Sequence, residues 1–207
     1  MRFETGPPLY APAFPDRPVP GRPEVLVHAE VWARHRIDAW NVATDLHLRL
    51  LARRSEDGTW RWSPADLSRC PFAAVPPDGL RAPADPDPPP AALESLERWI
   101  REAGHPVHRF VPTGTVSEPG EPLDAFRRRV LGEALRAALA AGDGARPAAA
   151  GIARLRTAFE TRRLPLLAAV RLRVAVATLV AADPGRLLER SRPGRQAPGG
   201  ADVQCRP

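Results

Sequence analysis

At 207 residues and 43% hydrophobic, the chain can build one domain with a core and is too apolar to be wholly disordered, yet its 26 prolines force much of its length out of regular structure. All 30 basic residues are arginine, and with 24 acids they leave a net charge of +6. Without lysine there is no Walker lysine, so a P-loop NTPase is excluded, and no GxGxxG, HExxH or CxxC spacing occurs, which leaves only a composite metal site from separate strands open.

Residues 1–23 form a Pro-rich leader, unable to make a helix or a central strand, that reads as an extended arm lying on the domain. From Pro23 the pattern changes. Val25, Val27 and Ala29 alternate with Leu26, His28 and Glu30 until Val31 and Trp32 break the phase, and Leu46, Leu48 and Leu50 alternate with polar neighbours, so two strands are expected. The stretch 38–44 is open to a helical turn. "SEDG" signals a turn between 45–54 and 59–63, a hairpin with Trp60 and Trp62 on one face. Residues 63–90 are a Pro-rich linker or surface-hugging loop.

"PAALESLERWIREAGH" is helical, with Leu93, Leu96, Trp99 and Ile100 on one face, a Glu94–Arg98 pair and Gly104 as the stop. "PVHRFVP" is a short strand. "SEPGEPLDAF" starts a helix: Glu121 and Pro122 suit its first turn, and Asp124 is placed to pair with Arg128. Leu123, Phe126, Val130, Leu131, Ala134, Leu135, Ala138 and Leu139 then recur at spacings of three and four. After "GDGARP" a second helix is expected from about Ala148, with Ile152, Leu155 and Phe159 inward. Residues 166–182 read as helix on their alanine and leucine content, with strand as the alternative because "VRLRVAVATLV" alternates. Arg171 and Arg173 within this longest apolar stretch would cost roughly 5 to 7 kcal/mol on a membrane-insertion scale, so no membrane span is expected. The tail from Ser191 reads as disordered.

The fold class expected is α+β: a small antiparallel sheet in the N-terminal half (24–110), then an Arg-rich helical region (117–190), between the Pro-rich leader and a disordered tail (191–207). The leader lacks the apolar run of a secretory signal, and Cys70 and Cys205 suit no disulfide framework, so the expected location is cytoplasmic.

Charge placement carries the functional clue. Residues 1–110 hold 14 arginines against 15 acids, and 111–207 hold 16 against 9. Candidate binding residues for nucleic acid or a partner protein are Arg127, Arg128, Arg129, Arg136, Arg154, Arg156, Arg162 and Arg163, with Arg171 and Arg173 beyond them; such a face attracts phosphate backbones. The plainer reading is a solvated surface in an arginine-biased proteome. The expected function is a non-enzymatic accessory protein, with no catalytic residue, metal or cofactor assigned. The alternative is a metal-dependent or hydrolytic enzyme drawing on His28, His35, Asp38, Asp45, His47, His105 and His108. Cys70, in a Pro-rich loop, has an electropositive neighbour in Arg69 but no evident base.

Several landmarks occur in a recognisable order: Asp38 and Trp40, Trp60 and Trp62, Trp99, and then Ser117, Pro119, Gly120, Glu121, Phe126 and Arg129 in an S-x-P-G-E-x-x-x-x-F-x-x-R stretch. Across about residues 25–165 this resembles the segment after the ATPase core in bacterial HerA-like ATPases that carry a domain of unknown function. Pro165 departs from that pattern. The resemblance implies an accessory relative of a DNA-associated ATPase, with such an ATPase as a partner, and it supplies no catalytic residue.

Overall fold

The computed structural model describes residues 1–12, 23–67, 70, 72–78, 80–118, 120–140 and 158–190. In chain order the elements are β1 (Glu4–Thr5), β2 (Leu9–Ala11), β3 (Glu24–Ile37), a 3-10 turn (Asp38–Trp40), β4 (Val42–Arg54), β5 (Trp60–Pro64), α1 (Pro90–Glu102), β6 (Gly104–Phe110), β7 (Thr115–Val116), α2 (Leu123–Ala140), β8 (Phe159–Pro165), a second 3-10 turn (Leu166–Ala168), β9 (Arg171–Ala181) and α3 (Pro184–Arg190). The architecture is α+β and mainly strand. One sheet has the order β1-β9-β3-β4-β5, with β2 also on β9; the other has the order β7-β6-β8.

By contacts the chain divides into two units: Met1–Arg2, Val31–His47 and Leu96–Val174 in the first, Phe3–Glu30, Leu48–Ser95 and Ala175–Pro207 in the second. In the second unit the start of β3, Leu26–Ala29, and the end of β9, Val176–Ala181, are covered on both faces. Leu179 and Ala181 join Leu26, Leu51, Leu67 and Leu187 in one apolar cluster, whereas Val180 between them packs with Tyr10 and Leu80 in another. A segment buried on both faces has no polar side to show, which is why its sequence reads as a continuous apolar run. Pro7 and Pro8 have no N–H to give, so the leader joins β9 in two short parallel pieces, Glu4↔Ala175 with Thr5↔Val176 and Leu9↔Leu179 through Ala11↔Ala181. β4 and β5 form the antiparallel hairpin in the register Ala52↔Trp62, with Gly58 at φ 81° in its turn. The Trp62 indole N–H reaches the Ser95 hydroxyl at 2.8 Å, which satisfies the polar atom of a buried ring. Leu67 and Leu80 pin the Pro-rich stretch between β5 and α1 into the two clusters.

The first unit holds the three-stranded sheet. β6 pairs antiparallel with β7 and, along its whole length, with β8 from Gly104↔Pro165 to Phe110↔Phe159. A Cβ on Gly104 would lie 2.9 Å from the Leu164 carbonyl oxygen, so close backbone approach requires the glycine there. Alternation along β6 sends Val107 to a cluster with Ile37 and Trp40, and Phe110 to a cluster with Phe126 and Val130 of α2. Burial of the Phe126 ring alone is worth roughly 2 to 3 kcal/mol.

Several expectations are corrected. Residues 171–181 are strand, because the sheet supplies a partner on each side and the Val174, Val176 and Val180 side chains suit a pleat, so tertiary pairing outweighs helix propensity. The larger sheet therefore takes an interior strand from the C-terminal half, and its pairing is partly parallel. Phe159 begins a strand that runs to Pro165 rather than lying on the inner face of a helix, since β6 offers an edge to pair with. Val31 and Trp32 do not break the phase of β3: the odd-numbered positions stay buried from Val27 to Ile37, and only the even-numbered face changes, from buried at Leu26 and His28 to open beyond Glu30. On α1 the fully buried side chains are Ala92, Leu96 and Ile100, one turn apart, with Leu93 and Trp99 half-buried, and the ion pair is Arg101 to Glu97 at 2.6 Å. On α2, Leu135 is exposed, and among the described side chains the apolar stripe is buried at Phe126 and Val130. Residues 141–157, which include the proposed start of the second helix, and the tail 191–207 lie outside the described residues. No described helix is long and apolar enough to cross a membrane.

Candidate nucleic-acid interface

The helix carrying the arginine triplet begins at a turn in which Gly120 has φ 78° and the Glu121 carboxylate accepts the Glu118 backbone N–H at 3.0 Å. That same carboxylate holds Arg129 through two bonds, 3.0 and 2.7 Å, and this pairing holds Glu121 below the usual carboxylate range. Arg129 is therefore a fastening of the helix start. Arg127 is also engaged, 3.5 Å from Asp124 and over the Phe159 ring at 5.5 Å; the expected partner of Asp124, Arg128, is instead exposed without an ion pair among the described residues. Three and four residues on are both within reach on a helix, and the neighbouring Phe159 ring adds a second contact for Arg127.

Arg136 is exposed and, among the described residues, bonds only to its own helix, at the Gly132 carbonyl. On β8, Arg163 is exposed without an ion pair among the described residues, and Arg162 lies over the Trp40 indole at 5.4 Å. Arg109 flanks the same indole at 5.9 Å, and Trp40 donates its N–H to Glu160 at 3.0 Å. Arg154 and Arg156 lie outside the described residues.

A second arginine surface occupies the solvent-facing side of the first unit's strand segments. From Val31 on, β3 buries Val31, Ala33, His35 and Ile37 and turns Trp32, Arg34 and Arg36 the other way. Trp32 stacks on His47 of β4, rings 5.0 Å apart and 9° from parallel, and Arg173 of β9 lies over the indole at 5.1 Å. Beside this row Arg34 donates to both Asp45 oxygens at 2.6 and 2.7 Å, which holds Asp45 below its ordinary range. With exposed Arg171 these side chains line a groove of about 430 Å³. The sequence puts Arg171 and Arg173 beside the basic candidates and Asp45 and His47 in a separate set, and does not join them with Trp32 and Arg34. The signal for the groove was present, since period two places Trp32, Arg34 and Arg36 on one face and Arg171 and Arg173 on another, but a helical reading of 166–182 hides the second half.

The histidines and aspartates of the alternative reading are scattered. His28 packs near Phe72, His47 belongs to the groove, and Asp38 pairs with Arg36 at 2.8 Å. His35 and His105 are buried edge to face with ring centres 4.9 Å apart, and a ring nitrogen of His35 (Nε2) lies 2.9 Å from the Pro165 carbonyl. Burial, reinforced by the adjacent His35 ring, pushes His105 down to about 4. His108 bonds through Nδ1 to Thr161 at 2.8 Å, and burial holds it below its usual value. Among the described residues no group of three or more His, Cys, Asp or Glu side chains is placed to hold a metal ion. Cys70 is half-buried against the leucine cluster of the second unit. Comparison with protein-family models, with curated proteins and with solved structures finds no match to this chain.

Proposed function

We propose that the chain is a non-enzymatic accessory protein that binds nucleic acid through its arginine surfaces. The observation supporting this is that several of its arginines are left without internal neutralisation: Arg128, Arg163 and Arg171 have no ion pair among the described residues, and Arg136 bonds only to a carbonyl. Guanidinium groups held on helix and strand, rather than on loops, are positioned to exchange solvent for phosphate oxygens, and release of counterions drives that exchange. Arg129, and in part Arg127, serve the fold instead, so the binding surface is narrower than the candidate set. A HerA-like ATPase acting on the same nucleic acid is the partner that the order of tryptophan and S-x-P-G-E landmarks suggests, and a cytoplasmic setting accompanies that role. For the metal-dependent alternative, no group of three or more His, Cys, Asp or Glu side chains among the described residues is placed to hold a metal ion. The test is an affinity titration against nucleic acid at several salt concentrations: binding should weaken linearly on a logarithmic scale, and Arg128→Ala with Arg163→Ala should make the slope shallower by about 0.7 to 0.9 per lost phosphate contact. Salt-independent affinity, or none at low salt, refutes the proposal.

A further inference from the structure

The groove on the open strand face carries more than charge. His47, Trp32 and Arg173 come from β4, β3 and β9, neighbours in the sheet, and their separations of 5.0 and 5.1 Å match the spacing of adjacent strands. The indole is thus held upright between an imidazole and a guanidinium. Asp45 already binds Arg34 through two bonds, so the groove is less positive than a phosphate clamp built of arginine alone, and its distinguishing chemistry is the indole.

An exposed cation–π contact such as Arg173 over Trp32 contributes about two- to fivefold to an equilibrium, whereas a nucleobase stacked on an aromatic side chain contributes about five- to hundredfold. A base taking the place of Arg173 on the indole gains more at the ring than the cation–π contact gives up, and the guanidinium beside it is placed to reach the phosphate that accompanies the base. Arg171 stands in the same groove, without an ion pair among the described residues, to take a neighbouring phosphate. Bases inside a duplex are already stacked on both faces and cannot enter.

We infer that this groove is a single-strand nucleic-acid site in which a base stacks on Trp32 while Arg173 and Arg171 bind the flanking phosphates. The inference rests on the nucleic-acid reading above and goes beyond it in naming the strand state and the residues. The experiment is a titration with oligothymidylate and with a duplex of equal length, on wild type, Trp32→Ala, Trp32→Phe and Arg173→Gln. Oligothymidylate should bind more tightly than duplex. Trp32→Ala should weaken it by about five- to hundredfold, with Trp32→Phe recovering part of the loss. Arg173→Gln, an exposed change that leaves the β3–β4 pairs in place, should weaken oligothymidylate binding by more than the small loss in unfolding free energy that giving up its contact with Trp32 brings. Oligothymidylate should also quench an emission component absent from Trp32→Phe, which identifies Trp32 among the five tryptophans. If wild type binds both nucleic acids but prefers duplex, or if the Trp32 and Arg173 variants bind oligothymidylate as wild type does, this site is wrong and the basic-surface proposal stands. If wild type binds neither at low salt, both fall.

Discussion

Lowering the pH should destabilise this fold, with His105 as the main cause. The residue is 7% exposed, with no hydrogen-bond partner at either ring nitrogen among the described residues, and it lies edge to face against His35. Burial disfavours the charged form first, and the neighbouring imidazole adds to that, so His105 titrates at about 4 in the folded chain against an ordinary value of 6.5. Between those two values the unfolded chain binds more protons than the folded one. Stability from this group is thus full above 6.5, is lost as pH falls through the interval, and loses nothing more below 4. The whole interval corresponds to at most roughly 3 kcal/mol, of which about 2 kcal/mol is lost by pH 5. Urea unfolding of wild type and His105→Leu at pH 7 and pH 5 measures this directly. The leucine variant should show a much smaller drop, because nothing at 105 remains to be protonated. His108, lowered by burial as well, contributes in the same direction and leaves the variant a residual slope. Parallel losses in the two proteins would refute the reasoning and move the acid sensitivity elsewhere.

Other substitutions separate fold from surface. Arg129→Ala should cost roughly 1 kcal/mol of unfolding free energy by freeing the Glu121 carboxylate at the start of α2, while Arg128→Ala leaves the urea midpoint unchanged and acts only on binding. Phe126→Ala should cost about 3 to 5 kcal/mol, because the ring is fully buried against Phe159 and Phe110 and the small cluster around it has few means of collapsing. Gly104→Ala should cost about 1 to 3 kcal/mol in the same assay, since the added methyl meets a backbone carbonyl that pairing with β8 holds in place.

What could be read in the sequence depended on whether the cause was local. The hairpin of β4 and β5, helix α1 and the start of α2 follow from turn residues, period and capping within a dozen residues, and all three are present. Strand β9 is a long-range element: its alanines and leucines suit a helix in isolation, and only partners far away in sequence make it a strand. The arginine clue divides in the same way. That the excess of arginine over acids lies after residue 110 is visible by counting, but which arginines are neutralised depends on distance, and Glu121 reaching Arg129 eight residues on lies beyond any rule of helix spacing from a carboxylate outside the helix. The Trp32 groove needed three strands to be assembled before its residues could be recognised as neighbours.

The central claim is that exposed arginines on this fold bind nucleic acid, and the most direct measurement is the affinity of the wild-type chain for oligothymidylate as a function of salt. The account predicts measurable binding at low salt, a logarithmic slope of about −0.7 for each phosphate engaged, and a shallower slope after Arg171→Ala. Absence of binding at low salt, or an affinity that does not change as salt is raised, would contradict it.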